Sequence, residues 1–138
     1  MSLPIPPTRL VIAVHPKFPA ALNEAQAISD YLTKQGLDVP IGSLHDEDLR
    51  RRVKAGEFDV LIAVGGDGTI LRAGHLCAPS SVPILGINKG RFGFLIQVTG
   101  DSWPEMIQKM LEGDYWVEER LMLRVELYRA GESQGVWH

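Results

Sequence analysis

The sequence predicts an α/β domain: an open, mostly parallel sheet with helices on both faces. Three observations carry that expectation. Short β-branched runs alternate with segments of helical period between residues 9 and 113, an order that builds parallel strands joined by right-handed crossovers. The most apolar run, F-D-V-L-I-A-V over 58–64, is too short for a helix and has the composition of a strand covered on both faces. Gly36, Gly56 and Gly113 stand where helical segments should stop, as left-handed helix ends require.

Taken in order, R-L-V-I-A-V (9–14) reads as a buried strand ended by His15-Pro16. Ala21, Ala25, Ile28 and Leu32 recur at helical spacing over 20–35, and 37–44 reads as a second strand. H-D-E-D-L-R-R-R-V-K-A-G places acids in its first turn and bases in its last, which suits the helix dipole, with Leu49 and Val53 facing inward. After the central strand and a glycine turn, 70–78 reads as a helix ended by Pro79, and V-P-I-L-G-I-N (82–88) as a fourth strand with its proline near the start. Ser102-Trp103-Pro104-Glu105 has the pattern of a capping box, followed by a buried stripe of Met106, Ile107, Met110 and Leu111. From Leu121 to Tyr128 the period changes to strict alternation, the mark of a strand with one covered face. The expected organisation is a loose tail over 1–8, an α/β nucleotide-binding domain over 9–118, and over 119–138 the first strand of a second, β-rich domain.

A chain of 138 residues with 45% apolar content and a formal net charge of −3 has material for one sizeable core and no overall basic field to attract nucleic acid. Arg50-Arg51-Arg52 follows Asp46, Glu47 and Asp48, so it reads as a solvated helix face. One cysteine, Cys77, excludes an internal disulfide and fits a reducing cytoplasm. No run approaches the ~18 apolar residues of a membrane span, and the amino terminus lacks the pattern of an export signal. The four histidines have no metal-ligand spacing, and His75, on the helix after the glycine turn, is expected to be the one nearest the site.

Open parallel sheets bind ligands beyond the carboxyl ends of their strands. Here those ends lead into H-P-K-F-P, G-G-D-G-T and N-K-G-R-F-G-F. Adjacent glycines let backbone N–H groups approach a phosphate at a helix start. The turn lacks the lysine of a P-loop and fails the dinucleotide pattern at Leu71. A carboxylate beside phosphate is repelled, so Asp67 either holds a divalent cation such as magnesium or accepts the proton of a hydroxyl that attacks phosphorus. The same residues also suit a tight strand-to-helix turn in which Asp67 or Thr69 merely caps the next helix.

G-G-D-G-T-I-L-R-A, L-G-I-N-K-G-R-F-G-F-L (85–95) and G-D-Y-W-V-E-E-R-L-M-L (113–123) together resemble the NAD kinases. Diacylglycerol and sphingosine kinases carry G-G-D-G-T as well, and phosphofructokinases a close relative of it; the second motif separates them. The resemblance implies phosphoryl transfer from ATP or polyphosphate to the adenosine 2′-hydroxyl of NAD, with magnesium or another divalent cation. It implies that Asp67 is the catalytic carboxylate, that Gly66, Gly68 and Thr69 line the phosphates, and that Phe94 lies on the adenine. Asn88, in the second motif, and Arg72, after the G-G-D-G-T of the first, join the candidate binding residues. Lys89, Arg91 and Lys17 lie near the expected site without a role carried over, and Phe92 reads as core. A homo-oligomer is expected of the full-length enzyme. The family's second domain contributes an Asn-Glu or Asn-Asp motif, whereas this chain ends at G-V-W-H and its Asn23-Glu24 lies on the first helix. A truncated enzyme with negligible activity of its own is therefore expected. The competing classes are a lipid kinase and a nucleotide-binding module without chemistry.

Overall fold

The apolar runs form strands β1 (Leu10–Val14), β2 (Ile41–Ser43), β3 (Val60–Gly65) and β4 (Ile84–Asn88), joined at one edge by a two-residue β5 (Val98–Thr99). All pair in parallel, in the order β2-β1-β3-β4-β5. The computed structural model describes residues 6–15, 19–88, 98–99, 102–114, 125–129 and 132–137. Every residue of β1 and β3 is buried, because helices cover both faces. Leu10, Ile12 and Val14 with Val60, Ile62 and Val64 meet α1 (Pro19–Lys34) and α4 (Trp103–Leu111) on one face. Val11, Ala13, Leu61 and Ala63 meet α2 (Glu47–Lys54) and α3 (Asp67–Cys77) on the other. Fully buried side chains such as Ile62 each contribute on the order of 2–5 kcal/mol against truncation to alanine.

The helices keep the faces their periods predict: α1 buries Ala21, Ala25, Ile28 and Leu32, and α2 buries Leu49 and Val53. Asp46 caps α2, its side chain accepting the N–H of Asp48 at 3.0 Å. The glycines that end α1, α2 and α4 take φ of +87°, +75° and +81°, a region closed to most residues with a Cβ.

Several boundaries differ from expectation. β2 is confined to Ile41–Ser43 because Pro40 has no N–H to offer a ladder. Its carbonyl still accepts the Ile12 N–H at 2.9 Å. β3 starts at Val60 and continues through Gly65, and β4 starts after Pro83. Ser102 holds the N-cap position of α4, but its side chain makes no capping hydrogen bond. Met106 is exposed, and Trp103 takes its expected place in the buried stripe. The Trp103 ring packs edge-on against Tyr31, its centroid 5.6 Å away, and its N–H donates to Glu24, so Glu24 of the Asn23-Glu24 pair ties α1 to α4. The sequence reading missed β5, a turn of 3-10 helix at Ala78–Ser80, and β7 (Glu132–Trp137), which pairs antiparallel with β6 (Val125–Arg129). Residues 121–124, the expected boundary near 118 and Trp116 lie outside the described residues.

Residues 6–8 depart from the loose tail expected over 1–8. Pro7 is buried, and the Asp59 carboxylate accepts from Thr8 N and Arg9 N at 3.0 Å each and from the Arg9 guanidinium at 2.8 Å. Burial pushes the Asp59 carboxyl up, but the Arg9 hydrogen bond and the two backbone donors outweigh it and hold the pKa at about 2, below the ordinary 3.8. A depressed carboxyl favours folding above its unfolded value and loses that contribution as pH falls. We therefore expect about 1–2 kcal/mol to disappear between roughly pH 5 and pH 2. Urea midpoints across that window should show a slope that Asp59→Asn removes.

Candidate active site

Strand order decides where a crevice opens. From β1 the chain turns toward β2 through α1, and from β3 it turns the other way toward β4 through α3. The two helices cover opposite faces. The loops leaving β1 and β3 therefore part, and a ligand has room beyond their carboxyl ends. Around this rim stand His15 after β1, Leu44 and His45 after β2, and the glycine turn after β3. Asn88 ends β4 level with Gly65 in the register.

The three glycines of the turn differ in what the fold asks of them. Gly65 has φ of +157°, and a Cβ there would collide with the Thr69 hydroxyl and stand 2.9 Å from Thr69 Cβ. Strand and helix thus meet too closely for any side chain at 65. Gly66 is the N-cap of α3 with φ −109° and ψ −168°, and a Cβ at either Gly66 or Gly68 would meet nothing within 4 Å. Sterics do not demand glycine at these two positions; its effect there is to leave the approach to the helix start open.

Asp67 is the first residue of α3, which begins three residues earlier than expected. The cap is Gly66, whose carbonyl accepts the Ile70 N–H at 3.2 Å, so neither Asp67 nor Thr69 fills the capping role that the alternative reading gave them. Half-buried Asp67 lies at the positive end of the helix dipole, where the ionised carboxylate is favoured. Helix geometry leaves the N–H groups of Asp67, Gly68 and Thr69 without an intrahelical carbonyl. The Thr69 side chain is only 6% exposed and turned under Gly65, so what it offers outward is its backbone.

Two histidines that the sequence reading passed over stand at this rim. His15 and His45 pack edge to face with centroids 5.7 Å apart, and the Arg72 guanidinium lies 3.1 Å from His45 Nε2. His75, expected to be the nearest histidine, is two turns farther along α3, about 12 Å by helical rise. The available signal was position: His15 and His45 each follow a strand in a parallel sheet. Leu71, also on α3, is 53% exposed.

Phe94, with Phe92, Lys89 and Arg91, lies in 89–97, outside the described residues, as does Lys17. Cys77 is buried, and burial pushes its thiol up to about 12, which keeps it inert. Among the described residues no group of three or more His, Cys, Asp or Glu side chains could hold a metal ion, and no helix is long and apolar enough to cross a membrane. A concavity of about 500 Å³ lies at the opposite, amino end of the sheet, beside Arg9, Asp38, Arg52 and Phe58. Its cations are engaged, Arg9 by Asp59 and Arg52 by Glu57 and the face of Phe58.

A parallel sheet of this order, with an acid and an open glycine turn at its switch point, defines an α/β domain with a candidate ligand site at its carboxyl rim. Residues 45–115 match the model of the ATP-NAD kinase N-terminal domain. The chain belongs to the NAD kinase family. An NAD kinase of Nitrosomonas europaea is 40% identical over 115 residues, covering 78% of this chain and 39% of that protein. One of Thermococcus gammatolerans is 43% identical over 121 residues, covering 83% and 42%. The chain thus spans about two-fifths of the length of the curated relatives it matches. The structure of yeast NADH kinase complexed with NADH superposes with a TM-score of 0.64 at 17% identity, over 94% of this chain and 46% of that one, a likeness of fold.

Proposed function

We propose that this chain forms the nucleotide domain of an NAD kinase and supplies the carboxylate that drives phosphoryl transfer from ATP or polyphosphate to the adenosine 2′-hydroxyl of NAD. Asp67 carries this reading: an acid at the first position of a helix, between two glycines, Gly66 and Gly68, that are there for access and not for conformation. Asp67 takes the proton of the 2′-hydroxyl as its oxygen attacks the donor's terminal phosphorus. The bond from that phosphorus to the leaving phosphate breaks as the new P–O bond forms. The N–H groups at the start of α3 meet the transferring phosphoryl oxygens. Magnesium would be held chiefly by the donor's phosphate oxygens and water, with the Asp67 carboxylate kept for the proton, and it would neutralise donor charge. Phe94 is assigned to the adenine, Asn88 and Arg72 to the flanks of the site, and the β6–β7 hairpin to the start of the β-rich domain. A cytoplasmic homo-oligomer is the form we expect of the complete gene product, and light scattering checks the assembly.

The test is an assay of the complete gene product with NAD, magnesium, and ATP or inorganic polyphosphate. NADP formation is expected; phosphorylation of diacylglycerol in preference to NAD would move the protein to the lipid kinases, and binding without turnover would make it a regulatory module. The glycine argument has its own check. Gly68→Ala is expected to raise stability by about 0.5–1 kcal/mol, because alanine is the better helix former in open space. It should also weaken nucleotide binding, because the methyl group stands in the approach. Urea melts and nucleotide titrations of the same variant should therefore move in opposite directions.

A further inference from the structure

The contacts that join His15, His45 and Arg72 are unused by the reading above, which places Arg72 at the flank of the site without a partner or a ligand group, and their position is informative. The glycine turn ends β3, the central strand; Asn88 ends β4 on one side of it, while His15 and His45 follow β1 and β2 on the other. The rim thus has two flanks. Arg72 leaves α3 one turn beyond Asp67 and reaches across to the β1–β2 flank, where it meets His45. Guanidinium can only donate hydrogen bonds, so at 3.1 Å the Nε2 of His45 is the acceptor and its ring proton sits on Nδ1. The His45 backbone is itself fixed, its N–H donating to Ser43 Oγ at 3.0 Å, and the His15 ring lies edge-on against its imidazole. One donor of an exposed cation is thereby spent on a neutral ring, which fixes its direction without neutralising its charge. A carboxylate in that place would have cancelled it. The remaining donors of the planar fork suit a phosphate chain.

We propose that Arg72, positioned by His45 and His15, is the subsite for the oligophosphate chain of the phosphate donor, on the flank of the glycine turn opposite Asn88. The inference rests on the kinase reading for the word donor, but the anion site itself does not. His45 and His15 act as positioning residues through Arg72. The two sides of the rim divide the work: phosphate chain over β1 and β2, acceptor nucleotide over β4.

The experiment titrates this chain with inorganic tripolyphosphate while following the Arg72 side-chain and His45 ring resonances by NMR. His45 should report a protonated Nδ1 and an unprotonated Nε2 before ligand is added. Tripolyphosphate should shift both residues. Its affinity should fall about tenfold in Arg72→Gln and about threefold to fivefold in His45→Phe, and return toward the parent value in His45→Gln, which keeps an acceptor. NAD added at saturation should leave the Arg72 shift in place. An Arg72 resonance unmoved by saturating tripolyphosphate overturns the subsite whatever the enzyme does. Displacement by NAD assigns the flank to the acceptor and overturns it equally. If the shifts and affinities hold while Asp67→Asn retains full turnover in the complete gene product, the kinase chemistry fails and the anion site stands.

Discussion

Asp67→Asn in the complete gene product is expected to lower turnover by about 10²–10⁴-fold while changing nucleotide affinity by no more than a few-fold. The amide has the shape of the carboxyl but cannot take the hydroxyl proton as the ribose oxygen attacks. The size of the effect follows from a general base that acts only in the transition state. Stability should move little, because Gly66 caps α3 and the cap does not depend on the acid. Some charge–dipole stabilisation at the helix start is lost, on the order of 0.3–1 kcal/mol, while the repulsion between acid and bound phosphate is relieved. Tighter phosphate binding together with slower turnover would therefore be the most telling pattern. Full turnover would leave the turn as a binding device alone.

Gly65→Ala should have the largest effect on the fold of any single change at the site. The new methyl would be driven into the Thr69 side chain, with Cβ atoms 2.9 Å apart, from a backbone φ of +157° that alanine rarely adopts. Thr69 is buried, and Gly65 pairs with Asn88 at the end of the central ladder, so neither neighbour yields easily. We expect a loss of about 2–4 kcal/mol, measured as a fall in urea midpoint, by the overpacking and strain routes together. Thr69→Ala in the same chain should recover part of that loss by removing the hydroxyl and methyl from the path, while the backbone strain remains. A double-mutant cycle should give a favourable coupling of about 1 kcal/mol. Strictly additive losses would mean that the strand-to-helix step is held by something other than this contact.

These two substitutions sit two residues apart, and the chain makes them differ. Asp67 was visible as a candidate from its neighbours, because a carboxylate among glycines after an apolar run has few chemical uses beside phosphate. Gly65 was visible only as one glycine among three. What separates it from Gly66 and Gly68 is the inward turn of Thr69 beneath it, a contact that composition does not announce. Met106 shows the same limit: its spacing fits the buried stripe of α4, yet Trp103 fills that place and Met106 stays exposed.

The order of strands and helices, the glycine stops of α1, α2 and α4, and the acid in the turn after β3 were determined by the sequence, because each depends on local sterics and on period along a few neighbouring residues. Tertiary structure alone decided that β1 lies between β2 and β3, that α1 and α3 part to opposite faces, and that His15, His45 and Arg72 meet at one rim. Those facts join residues tens of positions apart, and they follow from how two covered faces pack around a single sheet.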